Sequence, residues 1–355
     1  MDMSEDSATT GPGRLMAAEI AEQPAVWERL LGIEGRARIH DAADLLAKRP
    51  PRFVLLVARG TSDHAALYAK YVVEILHGLP AGLVSPSTMT AYGARPDLRE
   101  VLVIAVSQSG GSPDLVTTME VARARGALTL AVTNNASSPL AQSADVHLDV
   151  LAGPELAVAA TKSYTAQLLA LSLLLERVRG GDGGAAAALP ELAVQVLAKD
   201  DQVAEAAQRY RFAQRLVTTG RGYSYPTARE AALKLMETSY LSAQAFSGAD
   251  LLHGPLAMID PQVPVLAVMA AGAGGDAMRA VVPRLREVRA DVFCVGSAEH
   301  VTQFQHGVTL PDGVREDLSP LLEILPFQQL ALHLAVARGE DPDAPRGLRK
   351  VTETL

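Results

Sequence analysis

A loop rich in hydroxyl groups and glycine is the strongest sign of chemistry in this sequence. It follows an apolar run at 101–106 and consists of Ser107, Gln108, Ser109, Gly110, Gly111 and Ser112. Glycines let the backbone turn tightly, and a helix that starts after the loop adds the positive end of its dipole. Hydroxyl and N–H groups together suit one phosphate monoester. Because the loop has no lysine, it is not a Walker-type nucleotide loop.

The alternative interpretation is that these serines only cap a helix, which any one of them alone would favour. A second copy of the loop argues for function. The chain repeats itself at an offset of 162 residues, so that Gly60 falls on Gly222 and 107–112 falls on 269–274. The later loop keeps a glycine at Gly272 but has no hydroxyl group. A purely structural cap would serve both copies, so we predict one anion cradle, in the earlier copy only.

Charged residues on a predicted helix form the second candidate. Glu230, Lys234 and Glu237 are spaced four and three apart, so they share one helix face. By default such a stripe is a surface ion-pair ladder. The rest of this helix is largely apolar, which leaves open that the stripe faces a cleft.

Weaker candidates lie in other loops. Thr61 and Ser62 follow Gly60 at a neighbouring strand end, where a capped helix start is the favoured explanation of this motif taken alone. His253 lies in an apolar run, and such a histidine is more often packed than catalytic. Lys350 belongs to a basic C-terminal tail that alone would be taken as a frayed end.

The elements that would position these residues alternate between short strands and helices. Apolar runs of strand length lie at 53–57, 101–106, 128–132, 146–150, 216–219, 265–268 and 292–295. Helical stretches between them are typical of βαβ units and a parallel sheet. We therefore predict an α/β fold with two tandem doubly wound domains. In such sheets, ligands bind where the carboxyl ends of strands lead into helices.

The composition excludes several classes of protein. The chain has 355 residues with a net charge of −8 and only 4% aromatics, which argues against nucleic acid as a partner. Cys294 is the only cysteine, so neither an intrachain disulfide nor a cysteine-rich metal site is possible. Residues 1–14 look like a disordered tail and not like a secretory signal. The apolar stretch 168–175 is too short for a membrane span. We expect a cytoplasmic protein.

Taken together, the motifs resemble the SIS (sugar isomerase) domain family from about Leu15 onward. The resemblance is carried by 60–62, 107–110, 158–162, 230–237, 253–255 and Lys350. Within the family, the chain resembles the isomerase half of glutamine:fructose-6-phosphate aminotransferases. The segments 111–113, 159–164 and 350–355 look more like type II glucosamine-6-phosphate deaminases. Ser242 and Gln244 replace a histidine and a glutamate of the aminotransferases.

The resemblance implies roles for individual residues. Contacts to the sugar phosphate would come from Ser107, Gln108, Ser109 and Ser112. Contacts to the sugar would come from Gly60, Thr61, Ser62, Val158 and Ala159. Glu237 would move a proton between C1 and C2, with Lys234 beside it. His253 would assist ring opening in the neighbouring subunit's site, and Lys350 could form a Schiff base with the keto sugar.

The resemblance also implies the activity, which is an amino-sugar phosphate deaminase and isomerase. Glucosamine 6-phosphate would give fructose 6-phosphate and ammonia, a hydrolase-type step of amino sugar metabolism that needs no metal or other cofactor. Cys294 lies in a predicted strand, so we expect no glutaminase activity. Another sugar-phosphate isomerase, a fructosamine-phosphate deglycase and an N-acetyl sugar-phosphate lyase remain open. A non-catalytic sugar-phosphate sensor would have little use for Glu237, His253 and Lys350 together.

The domain organisation follows from the repeat and the glycine-rich run at 180–184. We predict an N-terminal tail and leading helix over 1–33 and a first SIS domain with the phosphate site over 34–190. A second SIS domain with the acid–base residues would span 191–340, and a tail with Lys350 would span 341–355. A shared active site would make the protein a homodimer. We expect no membrane partner.

Overall fold

The computed structural model describes residues 11–350, which form two compact units. The first unit comprises Ala25–Glu155 and Lys162–Pro190. The second comprises 11–24, Leu156–Thr161 and Glu191–Lys350. The predicted disordered tail is wrong at its end, because a helix begins at Arg14. Its first ten residues, like the last five of the predicted C-terminal tail, lie outside the described part, and the predicted domain limits stay predictions.

Each unit contains a parallel five-stranded sheet, which confirms the predicted α/β fold. The first sheet has the order β2-β1-β3-β4-β5. Its strands are β1 (Phe53–Val57), β2 (Ala81–Leu83), β3 (Val101–Ser107), β4 (Leu128–Thr133) and β5 (Val146–Asp149). The second sheet has the order β10-β9-β8-β6-β7. Its strands are β6 (Arg215–Gly220), β7 (Ser242–Ser247), β8 (Val265–Met269), β9 (Val292–Gly296) and β10 (His306–Thr309). Both sheets therefore have the same topology.

Helices connect the strands and surround the sheets. The helices of the N-terminal half are α1 (Arg14–Ala21), α2 (Gln23–Leu31), α3 (Ile33–Ala47), α4 (Thr61–Val72), α5 (Pro86–Thr90), α6 (Pro113–Ala124), α7 (Pro139–Ser143) and α8 (Lys162–Val178). Those of the C-terminal half are α9 (Leu189–Leu197), α10 (Asp200–Tyr210), α11 (Ser224–Ser239), α12 (Gly248–Leu252), α13 (Ala273–Met278), α14 (Val281–Glu287), α15 (Ala298–Val301) and α16 (Ser319–Ala337). α6 begins at Pro113, after Ser112 in the N-cap position. Proline suits the first turn because it lacks the N–H group that the helix leaves unbonded there.

The central strands form the core of each unit. Every residue of β4 and β8 is buried, as expected for strands covered on both faces. In the first unit, the indole N–H of Trp27 donates to Thr165 Oγ1 over 3.2 Å. Residues Glu316–Ala337 are long and apolar enough to cross a membrane, but 78% of their most apolar window is buried inside the protein. That burial is typical of a core helix.

Candidate functional site

Two loops of the first unit follow neighbouring strands at the same edge of the sheet. β1 and β3 pair in parallel, with Val57 opposite Ala105. The chain therefore leaves β1 for α4 and β3 for α6 side by side. The loops 59–62 and 107–112 lie at this edge, which is where ligands bind in open α/β sheets.

The loop 107–112 is held in a tight turn by its own side chains. Ser107 Oγ accepts the N–H of Gly110 over 3.1 Å, and Ser109 Oγ accepts that of Gly111 over 3.3 Å. Gly110 has a φ of 65°, and a Cβ there would lie 2.2 Å from Ser138 Oγ. Ser112 precedes α6 but makes no capping hydrogen bond with its side chain. The interpretation of these serines as helix caps is therefore wrong.

An ion pair that sequence patterns did not reveal joins the two loops. The guanidinium of Arg59 binds Asp114 Oδ2 through two nitrogens at 2.7 and 2.8 Å. The Asp114 side chain is 1% exposed, whereas that of Arg59 is 49% exposed. Such a two-pronged pair fixes orientation as well as charge. The pair links Asp114 at the start of α6 to Arg59, the residue before Gly60. The guanidinium of Arg59 stays partly exposed to solvent at the edge of the two loops.

The other first-unit candidates lie at the start of α4. Thr61 is half-buried, and Ser62 is buried with its Oγ accepting Gln167 Nε2 over 3.1 Å. Gly60 takes the N-cap position with a φ of 55°. The start of α4 is therefore built without a side-chain cap. The structure brings these residues to the same sheet edge as the loop 107–112.

The second unit contains a buried ion triad on α11. Lys234 is fully buried, with Nζ 2.5 Å from Glu237 Oε2 and 3.5 Å from Glu230 Oε1. Glu230 is also fully buried, whereas the Glu237 side chain is 22% exposed. The surface-ladder interpretation is therefore wrong. A buried ammonium is costly unless it is paired, and here the partner that reaches solvent is Glu237.

Packing against α16 fixes the helix that carries this triad. Thr238 Oγ1 lies 2.8 Å from the Lys234 carbonyl and 3.4 Å from that of Ala331 on α16. At the other end of α11, Ser224 and Thr227 each donate to the carboxyl of Glu323 over 2.8 Å. Burial raises the pKa of Glu323, although the hydroxyl hydrogen bonds oppose the rise.

The tail residue Lys350 lies beside the predicted sugar-contact segment. Its Nζ donates to the carbonyl of Ala157 over 2.6 Å. The following residues, Val158 and Ala159, are half-buried and buried within an irregular segment. The end of the described chain is therefore bonded, so the frayed-end interpretation is wrong up to this lysine.

His253 is exposed at the C-terminal end of α12. Within residues 11–350 its ring makes no hydrogen bond, so the packed-histidine interpretation is wrong. The structure thus brings together Lys234 with Glu237, and Lys350 with the segment before Val158, while His253 stands apart from these contacts.

The later copy of the phosphate loop holds a carboxylate of the protein itself. The N–H groups of Ala273 and Gly274 donate to Glu316 Oε2 and Oε1 over 3.0 and 2.6 Å. Gly272, at the turn, has a φ of 124°. Our prediction that only the earlier copy keeps an anion cradle is therefore wrong. The backbone donors are present in both copies, and a side chain 42 residues away in sequence fills the later one.

Comparison with known proteins identifies the family. The SIS domain pattern matches residues 49–177 and 210–338. The glutamine--fructose-6-phosphate aminotransferase [isomerizing] of Thermococcus kodakarensis is 35% identical over 363 residues, which is 99% of this chain and 59% of that protein. The protein of that name from Pseudomonas putida is 36% identical over 362 residues, covering 94% of this chain and 58% of its own length. The chain belongs to the SIS-domain family and spans about three fifths of these relatives.

Solved structures agree with this assignment. A protein of Silicibacter pomeroyi DSS-3, provisionally named a phosphosugar isomerase, is 37% identical with a TM-score of 0.83, covering 93% of this chain and 99% of that one. The glucosamine-6-phosphate deaminase of Thermotoga maritima has a TM-score of 0.75 at 21% identity, covering 96% and 100% of the two chains. The second likeness concerns the fold.

Among residues 11–350, no group of three or more His, Cys, Asp or Glu side chains could hold a metal ion.

Proposed function

We propose that this protein deaminates and isomerises an amino-sugar phosphate. Glucosamine 6-phosphate and water would give fructose 6-phosphate and ammonia. The observation that carries the proposal is the pair on α11, where a fully buried Lys234 holds the partly exposed carboxylate of Glu237 at 2.5 Å. A carboxylate with a fixed position and access to solvent suits the removal of a proton next to a carbonyl group.

The loop 107–112 would bind the phosphate of this substrate. Its glycine turn, its half-buried hydroxyls and the start of a 12-residue helix offer several donors to one anion. Binding the phosphate at a distance from the reacting carbons supplies orientation without participating in the chemistry. The exposed face of Arg59 would add a positive charge at the rim.

Glu237 would carry the proton between the two reacting carbons. After ring opening, assisted by His253, the substrate has an aldehyde at C1 and an amine at C2. Glu237 takes the proton from C2, the electron pair forms a C1–C2 double bond, and the C1 carbonyl electrons move to its oxygen, which takes up a proton. Glu237 then returns a proton to C1 as the nitrogen lone pair forms the C2–N double bond, and the nitrogen gives up one N–H proton. The resulting C2 imine reacts with water, which supplies the ketone oxygen and releases ammonia.

Lys350 would take part in breaking the imine. A primary amine can replace ammonia at C2 and form a Schiff base, which water then hydrolyses. The 2.6 Å hydrogen bond to Ala157 holds its ammonium beside the segment that contains Val158 and Ala159, the residues proposed to contact the sugar. The amine becomes nucleophilic once it loses a proton and leaves this bond.

A second candidate is aldose–ketose isomerisation of a sugar phosphate without loss of ammonia. The name of the Silicibacter pomeroyi relative, at 37% identity, favours it. The same base and phosphate loop would serve, with a C2 hydroxyl in place of the amine. Fructosamine-phosphate deglycation and elimination from an N-acetylated sugar phosphate use the same carbonyl-adjacent proton transfer.

A substrate panel separates these reactions. Purified protein is incubated with glucosamine 6-phosphate, N-acetylglucosamine 6-phosphate, glucose 6-phosphate and a fructosamine 6-phosphate, with ammonia and sugar products measured. We expect ammonia and fructose 6-phosphate in equal amounts from the first compound. Isomerisation of glucose 6-phosphate without any ammonia release from the panel would contradict the deaminase proposal and support the second candidate.

The same assay with Glu237→Gln tests the proposed base. Glu191→Gln, an exposed change on α9, serves as the matched control for this variant.

We also propose that the protein is a homodimer in which His253 serves the partner's site. The exposed, unbonded ring of His253 supports this proposal. Mixing inactive His253→Ala and Glu237→Gln proteins should restore part of the activity once subunits exchange, because some dimers then contain one intact site. A mixture that exchanges subunits but stays inactive would argue against a shared site.

A further inference from the structure

We propose that Glu19 of α1 is a positioning residue for the substrate site. It would fix the segment Leu156–Thr161 and, through that segment, the ammonium of Lys350. The proposal rests on the proposed function, which gives Lys350 and the neighbouring Val158 and Ala159 their roles. α1 lies outside both family matches, 49–177 and 210–338, and sequence patterns did not single out Glu19.

Glu19 is a buried carboxylate aimed at backbone donors. It is 4% exposed, and its Oε1 accepts the N–H groups of both Leu156 and Ala157, the latter over 3.4 Å. Two successive amides thus converge on one charged oxygen. Hydrogen bonds to an ionised acceptor are stronger than neutral ones. The segment 156–161 is irregular, and these bonds tie its first amides to α1.

Two tail residues bond to the peptide group between Ala157 and Val158. The Ala157 carbonyl accepts Lys350 Nζ over 2.6 Å, and the N–H of Val158 reaches the carbonyl of Asp343 over 3.5 Å. These two atoms belong to the same peptide bond. The position of the Lys350 ammonium therefore depends on where Glu19 sets the adjoining amides.

Asp343 closes the arrangement by capping α1. Its carboxylate oxygens accept the N–H groups of Leu15 and Met16, each over 2.8 Å. Both donors lie in the first turn of α1, where N–H groups have no partner within the helix. α1, the segment 156–161 and the tail are thus each bonded to the other two, although they lie far apart in sequence.

The far end of the segment is held by Gln328 of α16, which also bonds to the N-terminal region. Gln328 Nε2 donates to the Thr161 carbonyl over 3.2 Å, and Gln328 Oε1 accepts from Gln23 Nε2 over 2.7 Å. Both glutamines are fully buried. The segment that would contact the sugar is therefore anchored at one end by Glu19 of α1 and at the other by Gln328 of α16, and a change at Glu19 should act directly on the first end.

The test compares Glu19→Ala and Glu19→Gln with Glu28→Gln, an exposed change in the neighbouring helix. Amide hydrogen exchange is measured over 155–162 and over 107–112, together with the rate at which a soluble acylating reagent modifies Lys350. We expect Glu19→Ala to speed exchange over 155–162 at least about tenfold and to raise Lys350 acylation, with 107–112 unchanged. Glu19→Gln, which keeps one acceptor oxygen, should show a smaller change in the same direction.

Kinetics then distinguish positioning from general loss of structure. Glu19→Ala should lower kcat at least about tenfold while changing the affinity for glucosamine 6-phosphate little, because the phosphate donors are untouched. Glu19→Gln should recover part of kcat. Native exchange over 155–162 and native Lys350 acylation in both variants would overturn the proposal whatever the activity. If the unaltered protein turned over no substrate, the proposed function would fail, but exchange and acylation would still decide the role of Glu19.

Discussion

The loops 107–112 and 269–274 occupy the same place in two copies of one sheet, yet their N–H groups bond to different acceptors. In the first unit, the N–H groups of Gly110 and Gly111 are bonded to the hydroxyls of Ser107 and Ser109. In the second, the equivalent N–H groups of Ala273 and Gly274 are bonded to the carboxylate of Glu316. We propose that the first loop also receives the phosphate of the substrate, whereas the second holds the carboxylate of Glu316.

This difference shows how one backbone turn can be satisfied by different side chains. N–H groups at such a turn need an acceptor, and serine hydroxyls supply it in the first copy and a carboxylate in the second. The first turns of α4 and α11, which follow β1 and β6, also differ in their hydrogen-bond partners. Ser62 accepts a hydrogen bond from the neutral amide of Gln167, whereas its counterpart Ser224 donates to the carboxyl of Glu323. The second unit also carries the Lys234–Glu237 ion pair on α11.

The largest expected effect separates chemistry from binding. Glu237→Gln removes the proposed base of the second unit but leaves the loop 107–112 intact. Turnover of glucosamine 6-phosphate should fall by about 10²–10⁴-fold, while its binding by calorimetry changes less than about threefold. A variant that loses binding and turnover together would show that the division of roles between the units is wrong.

A methyl group placed in the turn of the loop 107–112 should weaken substrate binding there. In Gly110→Ala, the new methyl group meets Ser138 Oγ at 2.2 Å and the φ of 65° disfavours alanine. We expect the affinity for glucosamine 6-phosphate, measured by calorimetry, to fall at least about thirtyfold, the equivalent of about 2 kcal/mol. The matched change in the second unit is Gly272→Ala, where the methyl group meets Glu316. It should leave binding unchanged, and equal losses in the two variants would remove the contrast between the loops.

Removing the carboxylate of Glu316 from the loop 269–274 should lower the stability of the protein and leave substrate binding unchanged. Glu316→Ala leaves the exposed N–H of Ala273 and the part-buried N–H of Gly274 without their acceptor, which should lower the free energy of unfolding by about 0.5–1.5 kcal/mol. Denaturant unfolding of the variant measures this loss, with Glu287→Gln, a change at a side chain 63% exposed on α14, as the control. Unaltered stability would mean that solvent replaces the carboxylate at no cost.

The smallest effect is a pH dependence that belongs to the second unit. Burial raises the pKa of Glu323 above its ordinary value of 4.5, so the folded protein binds this proton more tightly than the unfolded chain. The associated stability is present below that value and is lost as the pH rises through the raised pKa. Glu323→Gln should remove this part of the decline in unfolding free energy. Denaturation curves at several pH values measure it, and parallel profiles for both proteins would contradict it.

Sequence patterns predicted the fold because both copies have the same strand spacing and burial. They also located the loop 107–112 and the charged face of α11, since each rests on local spacing. They left open whether that face is a surface ladder or faces a cleft, because the burial of Glu230 and Lys234 depends on tertiary packing. Glu19 and Glu316 were missed because their partners lie 137 and 42 residues away in sequence, and no local periodicity encodes such contacts.

The most direct test of the account is a crystal structure of this protein with glucosamine 6-phosphate. We predict phosphate density at the N–H and hydroxyl groups of 107–112, with the carboxylate of Glu316 still bonded to Ala273 and Gly274. Phosphate density at 269–274, or at any position away from the turn after β3, would contradict it.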